Sequence, residues 1–134
     1  MPKRNPEKAI QMLDAMLEFF GENGQRWTYG EWRNILGQRC MAGALRHLRS
    51  VMHIKGDTAG EYLREAIRLR HHVPYAEIPW FNDACRSYDD IRDMILGARA
   101  LAEAEFDRQR DQKRGHARSG RDSAPVQIEG KEAR

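Results

Sequence analysis

Apolar residues recur at three- and four-residue steps in four separate stretches of the chain, and residues that start or stop helices bound each stretch. Ile10, Leu13, Met16, Leu17 and Phe20 share one face of a first helix. Pro6 suits its first turn, Asn5 its cap, Glu7 the positive end of its dipole and Gly21 its stop. The spacing predicts a second helix from Cys40 to about His53, ended by Gly56. Its inward stripe is Met41, Ala44, Leu45, Leu48 and Met52, with Arg46, Arg49 and Ser50 outward. A third helix runs from Thr58 to about His71 on Tyr62, Leu63, Ala66 and Ile67; Thr58 and Glu61 form a capping box, with Asp57 as the alternative cap. Ser87 and Asp90 open a fourth, whose apolar face runs from Ile91 through Met94, Ile95, Ala98, Leu101 and Ala102 to Phe106.

Between these helices the period is lost. Glu22 to Gln38 crowds Trp27, Tyr29 and Trp32 among turn residues; a short helix from about Gly30 to Leu36 is expected ahead of a two-stranded excursion, with the aromatics closing over the core. Pro74 and Pro79 exclude a long helix between Val73 and Arg86, which leaves an irregular loop. The basic lead before Pro6 is expected to fray. After Phe106 too little apolar surface remains to offset the entropy of ordering, so the last helix extends toward Arg114 and disorder follows Gly115. The expected fold is all-α: a compact bundle of four main helices over residues 1–106, an irregular aromatic-rich connection, and a charged, largely disordered tail over 107–134.

Cys40-Met41-Ala42-Gly43-Ala44 gives the second helix a thiol at its mouth and one turn almost without side-chain bulk. Glycine inside a helix costs about 1 kcal/mol relative to alanine, so Gly43 points to a packing requirement. A neighbouring backbone or ring can approach there, and this is expected to be the central helix of the core.

The formal charge of +3 lies in the tail, where eight Lys/Arg face five Asp/Glu over residues 107–134, leaving fifteen of each sign in residues 1–106. The basic balance therefore says nothing of the body's affinity for nucleic acid. Within the body, residues 39–72 hold seven basic and three acidic side chains, and residues 73–106 three basic and seven acidic. These blocks are expected to face each other or to lie on opposite solvated surfaces. Cys40 and Cys85 have no CxxC spacing, no secretory leader is evident and no apolar run would span a membrane, so a cytoplasmic protein is expected.

Trp27-Thr28-Tyr29-Gly30, then Cys40-Met41-Ala42-Gly43-Ala44-Leu45, then Trp80-Phe81-Asn82-Asp83 ahead of a capped helix resemble an uncharacterised bacterial and phage family of unknown function, family 6197. That family pairs a Trp-x-x-Gly element with a Cys-x-x-Gly-Ala-Leu helix start and a Trp-Asn-Asp turn; in this chain Phe81 stands inside the third motif. The resemblance spans about residues 9–106, implies a small helical fold and supplies no activity or catalytic residues.

A thiol at a helix N-terminus is a candidate nucleophile. His47 shares the face of Cys40 but lies about 10 Å along the axis, so a catalytic set would need Cys40 with His71 or His72 as base and Asp83 or Asn82 to orient it. A buried cysteine filling a tight helix contact is the favoured reading. No histidine or cysteine spacing matches a metal site, and no phosphate loop, dinucleotide fingerprint or nucleophile elbow occurs, so neither metal nor cofactor is expected. Arg46, Arg49, Arg64 and Arg68 could share a surface, interrupted by intrahelical pairs to Glu61 and Glu65. Trp27, Gly43, Trp80 and Asn82 are expected to be structural, with Trp80 plugging the core, and Phe81 is a candidate contact for a partner.

The favoured function is a small non-enzymatic accessory protein acting through protein–protein contacts. The alternatives are a cysteine-dependent hydrolase or transferase using Cys40, and a nucleic-acid binder using the arginines and tail. A protein partner is expected before a nucleic acid, and no membrane.

Overall fold

Asn5 caps the first helix: its side-chain oxygen accepts from the Lys8 backbone N–H at 3.1 Å, and α1 (Pro6–Phe20) follows with Pro6 in its first turn. The computed structural model describes residues 4–122, with side chains described through residue 115. Met41–Met52 form α2, Thr58–His71 form α3, Ile78–Ala84 form α4 and Tyr88–Asp122 form α5. The architecture is all-α, with no strand among the described residues beyond two isolated bridges in the loop before α2.

Alpha-helical spacing places the expected residues inward. Leu13, Met16 and Phe20 of α1, Met41, Ala44 and Leu45 of α2, Tyr62, Leu63 and Ile67 of α3, and Ile91, Met94, Ile95 and Ala98 of α5 form one core. The long α5 packs along both α1 and α3, while α2 lies against α1 and α4. The expectation that α2 would be central is thus corrected. Its Gly43 notch receives the backbone carbonyl of Trp32, and a Cβ there would stand 2.3 Å from that oxygen. The small residues serve the incoming loop, and the three helices that pack most extensively on one another are α1, α3 and α5.

Four local expectations are revised. Seven residues of the Val73–Arg86 segment form α4, because Pro79 falls in the first turn, where no backbone N–H is required. No helix forms between Gly30 and Leu36; Thr28 N–H donates to Arg39 C=O at 3.0 Å and Cys40 N–H to Trp32 C=O at 3.3 Å, giving a folded-back loop. Asp57 occupies the cap position of α3 without a capping hydrogen bond, since its carboxylate turns to Arg64. Finally, Gly115 does not end α5, whose backbone continues to Asp122; the disorder expected further on lies outside the described residues from 123.

The basic lead is tied down at Arg4. Its guanidinium bridges Glu65 of α3 and Glu105 of α5 and lies 4.2 Å from the Tyr62 ring centroid. Glu65 therefore pairs across elements rather than within its helix. Arg99 of α5 similarly reaches Asp14 of α1 at 2.6 Å. Among the described residues no ion pair joins the basic block 39–72 to the acidic block 73–106; each draws partners from itself or from the first helix and its lead, and Glu105 also pairs with Arg108 further along α5. No described helix is long and apolar enough to cross a membrane.

Candidate functional site

Asn82 is completely buried, and a buried amide is costly unless each of its polar atoms is paired. It projects from α4, where the positions Ile78, Phe81 and Asn82 follow the inward i, i+3, i+4 pattern. Its oxygen accepts from Trp27 Nε1 at 2.8 Å and from the Met41 backbone N–H at 3.0 Å. Its nitrogen donates to the Thr28 carbonyl and to Asp83 Oδ1, both at 3.2 Å. Asp83 in turn accepts the Gly30 N–H at 2.8 Å. The three sequence motifs that are far apart along the chain therefore meet at one side chain. Gly30 has φ +82°, a value that glycine adopts without strain, so the loop can turn its N–H onto Asp83.

Cys40 completes the same joint. Its sulfur accepts the Gly43 N–H at 3.4 Å, capping α2, and only 5% of the residue is exposed. His71 is elsewhere, its ring edge-to-face with Trp80 at 5.8 Å and tilted against Phe81. His47 packs on Phe19. No hydrogen bond joins Cys40, His71 and Asp83 among the described residues, and the Asp83 carboxylate is occupied by Gly30 and Asn82. No group of three potential metal ligands occurs among them either.

The joint holds the loop against a groove. Between the loop, α2, the start of α3 and the α3–α4 connection lies a cleft of about 540 Å³, lined by Trp32, Arg46, Arg49, Arg64, Tyr75 and Pro79 among others. Arg46 and Arg49 are three apart on α2, hence on one face. Asp57 binds Arg64 at 2.8 Å and approaches Arg49 at 3.6 Å, and Arg49 also donates to the Gly56 carbonyl at 3.2 Å. Arg46 has no carboxylate partner among the described residues; its guanidinium lies 5.8 Å over the Trp32 ring. On the far wall the Tyr75 hydroxyl donates to Glu77 at 2.9 Å, and that bond, with the nearby charge of Glu77, holds the phenol above its ordinary pKa.

The predicted arginine cluster is thus brought together in part: Arg46, Arg49 and Arg64 line the cleft, and Arg68 does not. Trp27 donates its indole N–H to Asn82, and Gly43 takes the Trp32 carbonyl against α2. Trp80 and Phe81 exchange roles. Phe81 is 5% exposed and belongs to the core, whereas Trp80 is 54% exposed, because the register that buries Ile78, Phe81 and Asn82 turns position 80 outward. Tyr29 and Trp32 are also exposed by more than half, so of the loop aromatics Trp27 alone turns inward. Trp32, Asp57, Tyr75 and Glu77 are groove residues that no motif marks; the one signal was the density of aromatics in the loop.

Beyond Trp32 the loop presents aliphatic side chains to solvent. The Asn34 side-chain oxygen accepts from Leu36 N–H and Gln38 N–H, both at 3.0 Å, and its nitrogen donates to Gln38 Oε1 at 2.7 Å. On that braced turn Ile35 is fully exposed and Leu36 nearly so.

A family model described as "Family of unknown function (DUF6197)" matches residues 4–101, which contain all three motifs and the groove. Comparison with curated proteins and with solved structures gives no match.

Proposed function

The chain belongs to the family of unknown function DUF6197, and from that premise we propose that it is a small non-enzymatic accessory protein, bacterial or phage in setting, that acts by docking onto another protein. The observation that carries this reading is the turn at Asn34, which is internally hydrogen-bonded yet holds Ile35 and Leu36 in water, on the same loop whose Trp32 lines the arginine groove. Burying one such aliphatic side chain stabilises a contact by about 1.5–3 kcal/mol. Because the turn is already braced, little ordering entropy opposes the gain. A phosphate backbone offers such side chains almost nothing, whereas an apolar patch on a protein does.

The test is a photo-crosslinking side chain placed at Leu36 and, as a control, at the exposed Leu96 of α5. After irradiation in an extract of the native host, the reading expects a discrete protein adduct from position 36 that Ile35→Ser diminishes. Adducts to nucleic acid, or the same diffuse adducts from both positions, would contradict it.

A further inference from the structure

Next to the arginine groove, and sharing Tyr75 and Glu77 with it, is a second hollow of about 300 Å³ whose remaining lining is Val73, Ala76 and Trp80. We propose that groove and hollow together receive one peptide segment of the partner, with a carboxylate side chain at Arg46 and a neighbouring apolar side chain between Tyr75 and Trp80. This rests on the protein-docking reading above and adds the chemistry of the segment.

Charge selects the carboxylate. Three arginines line the groove against Asp57 and Glu77, so its surplus is one positive charge. Arg49 and Arg64 are already drawn to Asp57, which leaves Arg46 as the guanidinium open to a planar, two-pronged acceptor. A phosphoryl group carries about −1.5 to −2 at neutral pH and would overrun that surplus while facing two carboxylates. A single carboxylate matches it.

The hollow selects the apolar neighbour. Its wall is braced, since Tyr75 is hydrogen-bonded to Glu77 and the Trp80 ring stands edge-to-face with His71. Tyr75 and Trp80 are exposed by more than half, so both rings offer apolar surface to an incoming side chain. A half-open aromatic pair beside a charged site is the arrangement in which a buried anchor contributes most of the binding energy.

A random-peptide library displayed on phage and selected on the full-length protein tests this. The enriched sequences should pair an acidic with an apolar residue at a fixed spacing. For a synthetic peptide of that sequence, Arg46→Gln and Trp80→Ala should each weaken binding by about tenfold or more, and Trp80→Phe should restore most of the loss. Both side chains are exposed, so the variants should fold. Trp80→Ala should make no difference to a peptide whose apolar residue is replaced by alanine. Failure to enrich any sequence, enrichment without the pairing, indifference of the peptide to Trp80→Ala, or tighter binding when its acid is replaced by a phosphoserine would each overturn the proposal. If those results come with an intact Leu36 crosslink, the docking reading stands and this refinement alone falls; if the crosslink is lost as well, both fall.

Discussion

The side-chain oxygen of Asn82 accepts the indole N–H of Trp27 at 2.8 Å, while the same oxygen holds the first backbone N–H of α2 at Met41. One amide on α4 thereby fixes both ends of the loop that walls the groove. Asn82→Asp keeps the acceptors and removes the donors to Thr28 and Asp83, placing a buried carboxylate without a cationic partner beside another one. It should cost about 3 kcal/mol at neutral pH. The buried carboxyl favours its neutral form, so its pKa in the fold lies above the unfolded value, and the deficit relative to the parent protein shrinks as pH falls. Urea unfolding of both proteins at about pH 7 and about pH 5 reads this directly.

Gly43 and Gly97 should answer oppositely to alanine. Both are helical, and alanine raises helix propensity by about 1 kcal/mol at each. At Gly97 nothing lies within 4 Å of the added methyl, so Gly97→Ala should stabilise by most of that amount. At Gly43 the methyl would meet the Trp32 carbonyl at 2.3 Å, and backbone must move. Gly43→Ala should be destabilising by about 1–3 kcal/mol, as measured by thermal or urea unfolding.

The helices were legible because each rests on local rules: Asn5 and Pro6 mark a start, and Leu13, Met16 and Phe20 mark a face. The motif residues Trp27, Gly30, Met41 and Asn82 could be singled out, but their meeting depends on contacts across 41 to 55 positions that no local period encodes. Trp80 lies outside the core rather than plugging it for a related reason. In a seven-residue helix between loops, one-residue differences in register decide which of two adjacent rings is buried, and that register is set by Asn82 reaching the loop. The groove was half legible: the arginines follow from helical spacing, whereas Trp32, Tyr75 and Asp57 arrive from connections whose course was not written in any pattern.

Tyr62 is fully buried, yet its hydroxyl makes no hydrogen bond of good geometry; the nearby Glu105 carboxylate is taken by Arg4. Burial, then Glu105, holds the phenol above its ordinary pKa. What the residue contributes is its ring, packed in the core and covered by Arg4. Tyr62→Phe should therefore change stability by less than about 1 kcal/mol, while Tyr62→Ala should cost about 3–5 kcal/mol. Equilibrium unfolding of the two variants separates ring from hydroxyl.

Burial, with Asp90 adding to it, pushes the Cys85 thiol from an ordinary 9.0 up to about 11. The fold thus favours the neutral thiol. That contribution is complete below the unfolded value and is lost as pH rises across the interval to the folded one. Urea unfolding followed through this interval should show a decline in stability that is shallower in Cys85→Ala. Parallel curves for the two proteins would contradict the assignment.

The account depends on Asn82 being the point where loop, α2 and α4 are joined, and the exchange of tryptophan indole protons in the full-length protein reports on that joint most directly. Trp32 and Trp80 are each more than half exposed, whereas Trp27 Nε1–H is bound to Asn82. The three indole resonances should therefore comprise two that exchange rapidly with water and one that is protected, and Asn82→Ala should abolish the protection. Three equally fast indoles in the parent protein, or a protected Trp27 that survives Asn82→Ala, would contradict it.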